Sequence, residues 1–289
     1  MSANGSGGRD SGTCGGRVDS KGHRTPAAFF DIDGTLVPKP SLERRLMGFL
    51  VWRKEWTPWS FARWVARYLK VCALPSGMPW EDRWVLATHG NKTFWKHVRV
   101  AAAMEYRERA PRIDFFVEGI KRMHWHASQR HKIFLVSGTL ELLAQFAAEQ
   151  LREELRGGAS RDDLLPDAIG VCATRLAEAG GRWSGEVSGE AIWGNRKARA
   201  VERLAREHGL DLSRSFAYAN SASDRGMLAT VGHPMAVNPD RGLRRVAEAH
   251  GWPIVLWKRE QIEKKQEQRP RTVRDRRTEW LREIPRKQV

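Results

Sequence analysis

The sequence is short of cysteine, of acid and of long apolar runs. Its 289 residues include three cysteines, Cys14, Cys72 and Cys172, in unrelated contexts and without metal-site spacing. That excludes a disulfide framework and points to a reducing compartment. Cys72 and Cys172 sit in apolar runs with no activating partner, so both read as packed residues. No run approaches the roughly 18 apolar residues of a membrane-spanning helix. The start also lacks the charged-then-apolar order of a secretory leader. These absences lead to the expectation of a soluble cytoplasmic protein.

Acidic residues number 34 against 50 lysines and arginines, a formal net charge of +16. Such a balance raises nucleic acid as a partner, but the excess is localised. Residues 1–24 contribute +2, residues 38–112 contribute +9 and residues 258–289 contribute +6, while the remainder sums to −1. No nucleic-acid-binding module is recognisable, so specific nucleic-acid binding is disfavoured. Peripheral contact with an anionic membrane is the alternative that the basic segments suit. The length and a 41% hydrophobic content accommodate one α/β core with an inserted domain.

The chain is organised around Ala27-Ala28-Phe29-Phe30-Asp31-Ile32-Asp33-Gly34-Thr35-Leu36, an apolar strand that runs into two carboxylates and a glycine. Gly34 supplies a turn that leaves Asp31 and Asp33 at the carboxyl end of the strand, an active-site position in an open α/β sheet. One carboxylate can attack a phosphoryl or carbonyl centre and the other can shuttle a proton, while a divalent cation offsets their repulsion. Taken alone, the stretch is equally a strand ending in an Asp-Gly turn.

Three later stretches add to it. In Phe134-Leu135-Val136-Ser137-Gly138-Thr139, a hydroxyl stands at a strand end ahead of an apolar helix expected from Leu140, where it can donate to a phosphoryl oxygen or simply cap the helix. Gly194-Asn195-Arg196-Lys197 opens another helix, and Phe216-Ala217-Tyr218-Ala219 is a short strand leading into Asn220-Ser221-Ala222-Ser223-Asp224.

These four stretches, in this order, resemble the haloacid-dehalogenase-like phosphohydrolase superfamily, in its phosphoserine-phosphatase-like branch, over roughly residues 27–257. The resemblance implies a Rossmann-like three-layer α/β core with a mostly parallel sheet and an inserted helical cap. It implies catalytic Asp31, Asp33, Ser137, Lys197 and Asp224, with Gly34, Thr35, Gly138, Thr139 and Arg175 as candidates for contact with substrate. It also implies Mg²⁺ held by Asp31, the main-chain carbonyl of Asp33, and Asn220. The family commonly has Asp at the position of Asn220. An amide oxygen can bind a hard cation but brings no charge.

The expected reaction is hydrolysis of a phosphate monoester of a small or amphiphilic metabolite through an aspartyl-phosphate. The alternatives are phosphoryl transfer to an acceptor alcohol, or a binding protein that keeps the fold without turnover.

The expected organisation is a disordered segment over 1–24, a core over 25–37 and 113–257, a helical cap over 38–112 and a charged tail over 258–289. Within the cap, Leu42, Leu46, Phe49 and Leu50 recur at helical spacing after Ser41, as do Phe61, Trp64, Val65, Tyr68 and Leu69 after Pro58, and a third helical stretch is expected from Glu81 towards Arg109, with Gly90 as a point where it can break. Seven of the 13 tryptophans fall here, interleaved with Lys and Arg. They read as the core of a small bundle with a solvated basic rim, or as the lining of an opening for a large anionic or amphiphilic substrate. A β-hairpin is expected around Gly180-Gly181, pairing Val171–Leu176 with Trp183–Val187, and His124, His126 and His131 read as a solvated helix end.

Overall fold

The apolar run ahead of the two aspartates forms strand β1, Ala27–Phe30, and all four residues are buried. A strand covered on both faces is apolar at every position rather than alternating.

The structure is a computed structural model that describes residues 24–55, 57–73, 92–158 and 169–258. After β1 come helices α1 (Leu42–Trp52) and α2 (Pro58–Ala73), a 3₁₀ turn at Lys92–Trp95, and helices α3 (Val100–Arg109) and α4 (Val117–Ser128). Strand β2 (Lys132–Leu140), helix α5 (Glu141–Gly158) and strands β3 (Ile169–Thr174), β4 (Leu176–Ala179) and β5 (Arg182–Val187) follow. The described chain ends through α6 (Asn195–His208), β6 (Phe216–Ala219), α7 (Arg225–Ala229), β7 (His233–Val237), α8 (Arg241–His250) and β8 (Ile254–Val255). The expected segments 1–24 and 258–289 fall outside the described residues except for Arg24 and Lys258. Trp56, Trp80, Trp84 and the beginning of the helical stretch expected from Glu81 also lie outside them.

Six strands form one sheet in the order β3-β2-β1-β6-β7-β8, and every pairing in it is parallel. Successive residues of β1 face opposite sides of the sheet. Ala27 and Phe29 join a core with Val201 and Leu204 of α6 and Leu243 of α8. Ala28 and Phe30 join a second core with Leu46 of α1, Met123 of α4, and Ala144 and Leu151 of α5. The result is the α/β architecture with helices on both faces of a parallel sheet. Burial of these two apolar surfaces is its principal driving force.

Two local expectations are corrected. Val171–Leu176 is not one hairpin strand: residues up to Thr174 pair in parallel with β2, and the hairpin of β4 and β5 starts only at Leu176. The split follows from burial, because Ile169, Cys172 and Thr174 face the core whereas Arg175 is exposed. The hairpin docks on the segment between the 3₁₀ turn and α3 through His97 N–H to Trp183 O (2.8 Å), Trp183 N–H to Val98 O (3.0 Å) and Val100 N–H to Gly181 O (3.0 Å).

The second correction concerns the histidines. His126 is not solvated but wholly buried, 2.8 Å from Tyr218 Oη and 2.9 Å from His131 Nδ1. Helix α4 packs its inner face on Phe30 and Tyr218, which takes His126 into the core.

Candidate active site

Strand β1 ends at Phe30, and its neighbour β6 holds the next residue in place: Asp31 N–H donates to Tyr218 O at 3.0 Å. Asp31 is 5% exposed. One carboxylate oxygen, Oδ1, accepts from Lys197 Nζ at 2.7 Å, and Oδ2 accepts from Thr35 Oγ1 at 3.1 Å. Lys197 lies in the first turn of α6 and also meets Asp224 Oδ1 at 2.9 Å. A single buried ammonium therefore bridges two buried carboxylates. Burial by itself lowers the Lys197 pKa, but Asp224 and Asp31 outweigh it and hold the group well above its ordinary range. Burial raises the Asp224 carboxyl while Lys197 pulls it down.

Asp33 is held differently. The N–H of Leu42, the first residue of α1, donates to Asp33 Oδ1 at 2.8 Å. An amide of the first helical turn has no partner within its helix, so the carboxylate satisfies it. Burial pushes the Asp33 carboxyl up to about 7, against the lowering effect of that amide and with a further rise from Asp31. Asp33 is thus the carboxyl suited to carry a proton near neutral pH, beside an Asp31 that is ion-paired to Lys197.

Gly34 has φ +91°, and a Cβ there would stand 2.1 Å from Asn220 Nδ2. Glycine is required both for the turn and for the close approach of Asn220. The Thr35 hydroxyl, 3.1 Å from Asp31 Oδ2, is also 3.4 Å from Asn220 Oδ1, so one proton is shared between the two motifs.

Ser137 is 2% exposed, and its register with β3 breaks between Ser137 and Leu140. This irregularity lifts Gly138 and Thr139 out of the ladder, a common device beside functional sites. The strand then runs on to Leu140, so Ser137 lies three residues before the strand end instead of at it, and α5 starts one residue after the expected position. Ser137 Oγ accepts from Thr139 N–H at 3.4 Å.

Asp31, Asp33, Ser137, Gly138, Thr139, Lys197, Asn220 and Asp224 all line one cavity of about 460 Å³. Gly34 and Thr35 are not among the lining residues and meet the site only through Asn220 and, for Thr35, Asp31. Arg175 is not among the lining residues: its exposed guanidinium pairs with Glu141, Nε to Oε2 at 2.5 Å.

Sequence reasoning misses three contributors. The Leu42 amide has no side-chain signature. Lys92 is expected on a solvated rim but is 6% exposed, lines the cavity and pairs with Glu43 at 2.7 Å. Trp193 also lines the cavity, and its place immediately before Gly194-Asn195-Arg196-Lys197 is a signal that the sequence does carry.

Among the described residues, no three acidic, cysteine or histidine side chains converge as a metal cage. The oxygens around Thr35 are nevertheless the hard donors that Mg²⁺ accepts. Asp31 Oδ2 and Asn220 Oδ1 surround one hydroxyl while Lys197 occupies the other Asp31 oxygen. Mg²⁺ uses one or two protein carboxylates and retains several waters, so this sparse set fits it.

The family model for haloacid dehalogenase-like hydrolase matches residues 28–229. Over 86 residues the chain is 52% identical to the inhibition of morphological differentiation protein of Streptomyces azureus, covering 29% of this chain and 31% of that one. Over 135 residues it is 35% identical to a phosphoserine phosphatase of Mycobacterium tuberculosis, covering 47% and 38% respectively. The chain thus spans about a third of the length of the curated relatives it matches. A solved phosphoserine phosphatase structure with a phospho-aspartyl intermediate analogue is similar in fold, with a TM-score of 0.50 at 18% identity over 82% of this chain and 95% of that one.

Proposed function

This chain belongs to the haloacid dehalogenase-like hydrolases, and from that premise we propose that it hydrolyses a phosphate monoester through an aspartyl-phosphate formed on Asp31. The observation that carries the reading is the Lys197 ammonium between Asp31 and Asp224 at 2.7 and 2.9 Å, with Asp33 and Ser137 on the same cavity.

In the first step an Asp31 oxygen attacks phosphorus as the ester P–O bond breaks, and Asp33 gives its proton to the departing alkoxide. In the second step Asp33 takes a proton from water, which attacks the same phosphorus and releases phosphate and free Asp31. Lys197 and the Ser137 hydroxyl offset charge on the phosphoryl oxygens. Bound Mg²⁺, held by Asp31, the Asp33 carbonyl and Asn220, supplies further charge neutralisation there.

The similarity to the Mycobacterium phosphoserine phosphatase supports a phosphatase reading. The test is release of inorganic phosphate from a panel of monoesters with Mg²⁺, with Asp31→Asn as control. Disappearance of ester without free phosphate, with a new phosphoester appearing, would indicate transfer to an acceptor alcohol. No turnover of any ester by the folded protein would leave a binding role and overturn the enzymatic reading.

A further inference from the structure

The cavity at Asp31 is lined by two chemically different sets of residues. Among its lining residues Asp31, Asp33, Lys197 and Asp224 form a charged set, here termed the floor, whereas Met47 of α1, Phe61 and Trp64 of α2, and Phe94 and Trp95 of the 3₁₀ turn form an apolar set, here termed the wall. We infer that the alcohol half of the substrate is bulky and apolar, an aryl-alkyl or alkyl phosphate rather than a small amino-acid phosphate. This inference rests on the phosphomonoester reading and names the substrate class for that same site.

Three observations carry it. First, about 460 Å³ lies within the range of pockets that enclose drug-sized ligands, and a phosphoryl group occupies only the floor. Second, the aromatic rings of the wall are braced. Phe61 stacks on Trp64 (centroids 6.0 Å apart, 19° between planes) and Trp64 on Tyr68 (5.7 Å, 21°), a ladder at i, i+3 and i+7 along one face of α2. Trp95 is 3% exposed and meets Trp183 of the hairpin edge-on at 6.0 Å, which fixes the adjoining wall against β5. Rings held in this way offer apolar contact at little cost in side-chain entropy.

Third, among the described residues the one buried cation of the wall is already paired. Lys92 is buried there, and Glu43 at 2.7 Å already neutralises it. A carboxylate or ammonium brought against that pair would lose its hydration and gain only a share in an ion pair already made. Arg44 also borders the cavity, but it is exposed, so an anion that it meets remains in water.

The experiment compares 3-phenylpropyl phosphate with O-phosphoserine, two alkyl esters, in the full-length protein with Mg²⁺. The expected kcat/KM ratio favours the phenylpropyl ester at least tenfold. Phe61→Ala and Trp64→Ala are each expected to reduce that ratio at least fivefold, mainly through KM, and Trp64→Phe to restore most of it.

Because Phe61 is half-exposed, its variant keeps the test meaningful if Trp64→Ala fails to fold. Binding of 4-phenylbutylphosphonate, measured by calorimetry, reads the wall without turnover. Phosphonate binding that depends on Trp64 in a protein with no turnover would overturn the hydrolase reading and support the apolar wall. Preference for phosphoserine, or equal losses on both esters, would overturn the substrate class and leave the hydrolase standing. Neither turnover nor phosphonate binding would overturn both.

Discussion

The amide of Leu42 donates to the Asp33 carboxylate at 2.8 Å. The helix that leads into the insert therefore also orients the candidate acid and base. In the proposed mechanism, a change in the path from Val37 to α1 would act on proton transfer through this main-chain contact.

Asp31→Asn keeps the size of the side chain but removes the attacking carboxylate and half of the anionic partnership of Lys197. Turnover is expected to fall by on the order of 10³-fold or more, with the fold retained. Phosphate release and a thermal melt on the same preparation check this. Wild-type turnover by the folded variant would sink the covalent mechanism.

Removal of divalent metal with a chelator is expected to stop turnover, and Mg²⁺ to restore it. Asn220→Asp adds charge beside the Thr35 hydroxyl that joins Asn220 to Asp31. It should lower the Mg²⁺ concentration for half-maximal activity by roughly five- to tenfold, about 1 kcal/mol in binding. An unchanged titration curve would place Asn220 outside the metal's ligand set.

Gly34→Ala puts a methyl group 2.1 Å from Asn220 Nδ2 at a backbone φ of +91°. The amide is the free end of its side chain, so it moves before the backbone does, and the site loses Asn220 as well as stability. A loss of roughly 1–3 kcal/mol is expected from the strained backbone and the displaced contact. Denaturant melts of Gly34→Ala and of Gly34→Ala/Asn220→Ala separate the two effects. The double variant should recover only the part of the stability lost to the clash with Asn220, not the part lost to backbone strain, and should not recover the response to Mg²⁺.

His126 is buried and its pKa is lowered from 6.5 to about 3, chiefly by burial, with His131 and Arg122 adding to the shift. A lowered folded-state pKa means that the unfolded chain takes up the proton first. The stability contribution is therefore complete above pH 6.5 and is lost as pH falls from 6.5 towards 3. The slope is about 1.4 kcal/mol per pH unit, so roughly 2 kcal/mol disappears by about pH 5. His126→Gln, which can still reach Tyr218 Oη, should flatten that loss in denaturant melts at pH 7 and 5. An equal loss in both proteins would assign the acid sensitivity elsewhere.

On α2, Trp59 is 75% exposed and shares a helix face with Arg63, Arg67 and Lys70. Among the described residues, this face combines an exposed tryptophan with cations in the way that the expected contact with an anionic membrane requires. Co-sedimentation with vesicles containing phosphatidylserine should exceed that with neutral vesicles and weaken with salt. Arg67→Glu/Lys70→Glu should weaken it at least fivefold, since each cation near such a surface contributes about 1 kcal/mol. Equal recovery with neutral vesicles would remove the electrostatic part of this expectation.

The sequence by itself determined which groups follow which apolar runs. Apolar runs closed by Asp31, Ser137 and Asn220 are local signals, and a parallel sheet brings the carboxyl ends of β1, β2 and β6 to one edge. Tertiary structure decided how each charge is spent. Lys197 holds Asp31 from 166 residues away, Lys92 is neutralised by Glu43 instead of facing solvent, and Arg175 is turned to Glu141, away from the cavity. The same packing buried His126 and let a main-chain amide of α1 hold Asp33. A residue's identity states what its side chain can do. Whether that charge is solvated, paired or buried depends on elements distant in sequence, and a backbone amide carries no identity that the sequence could display.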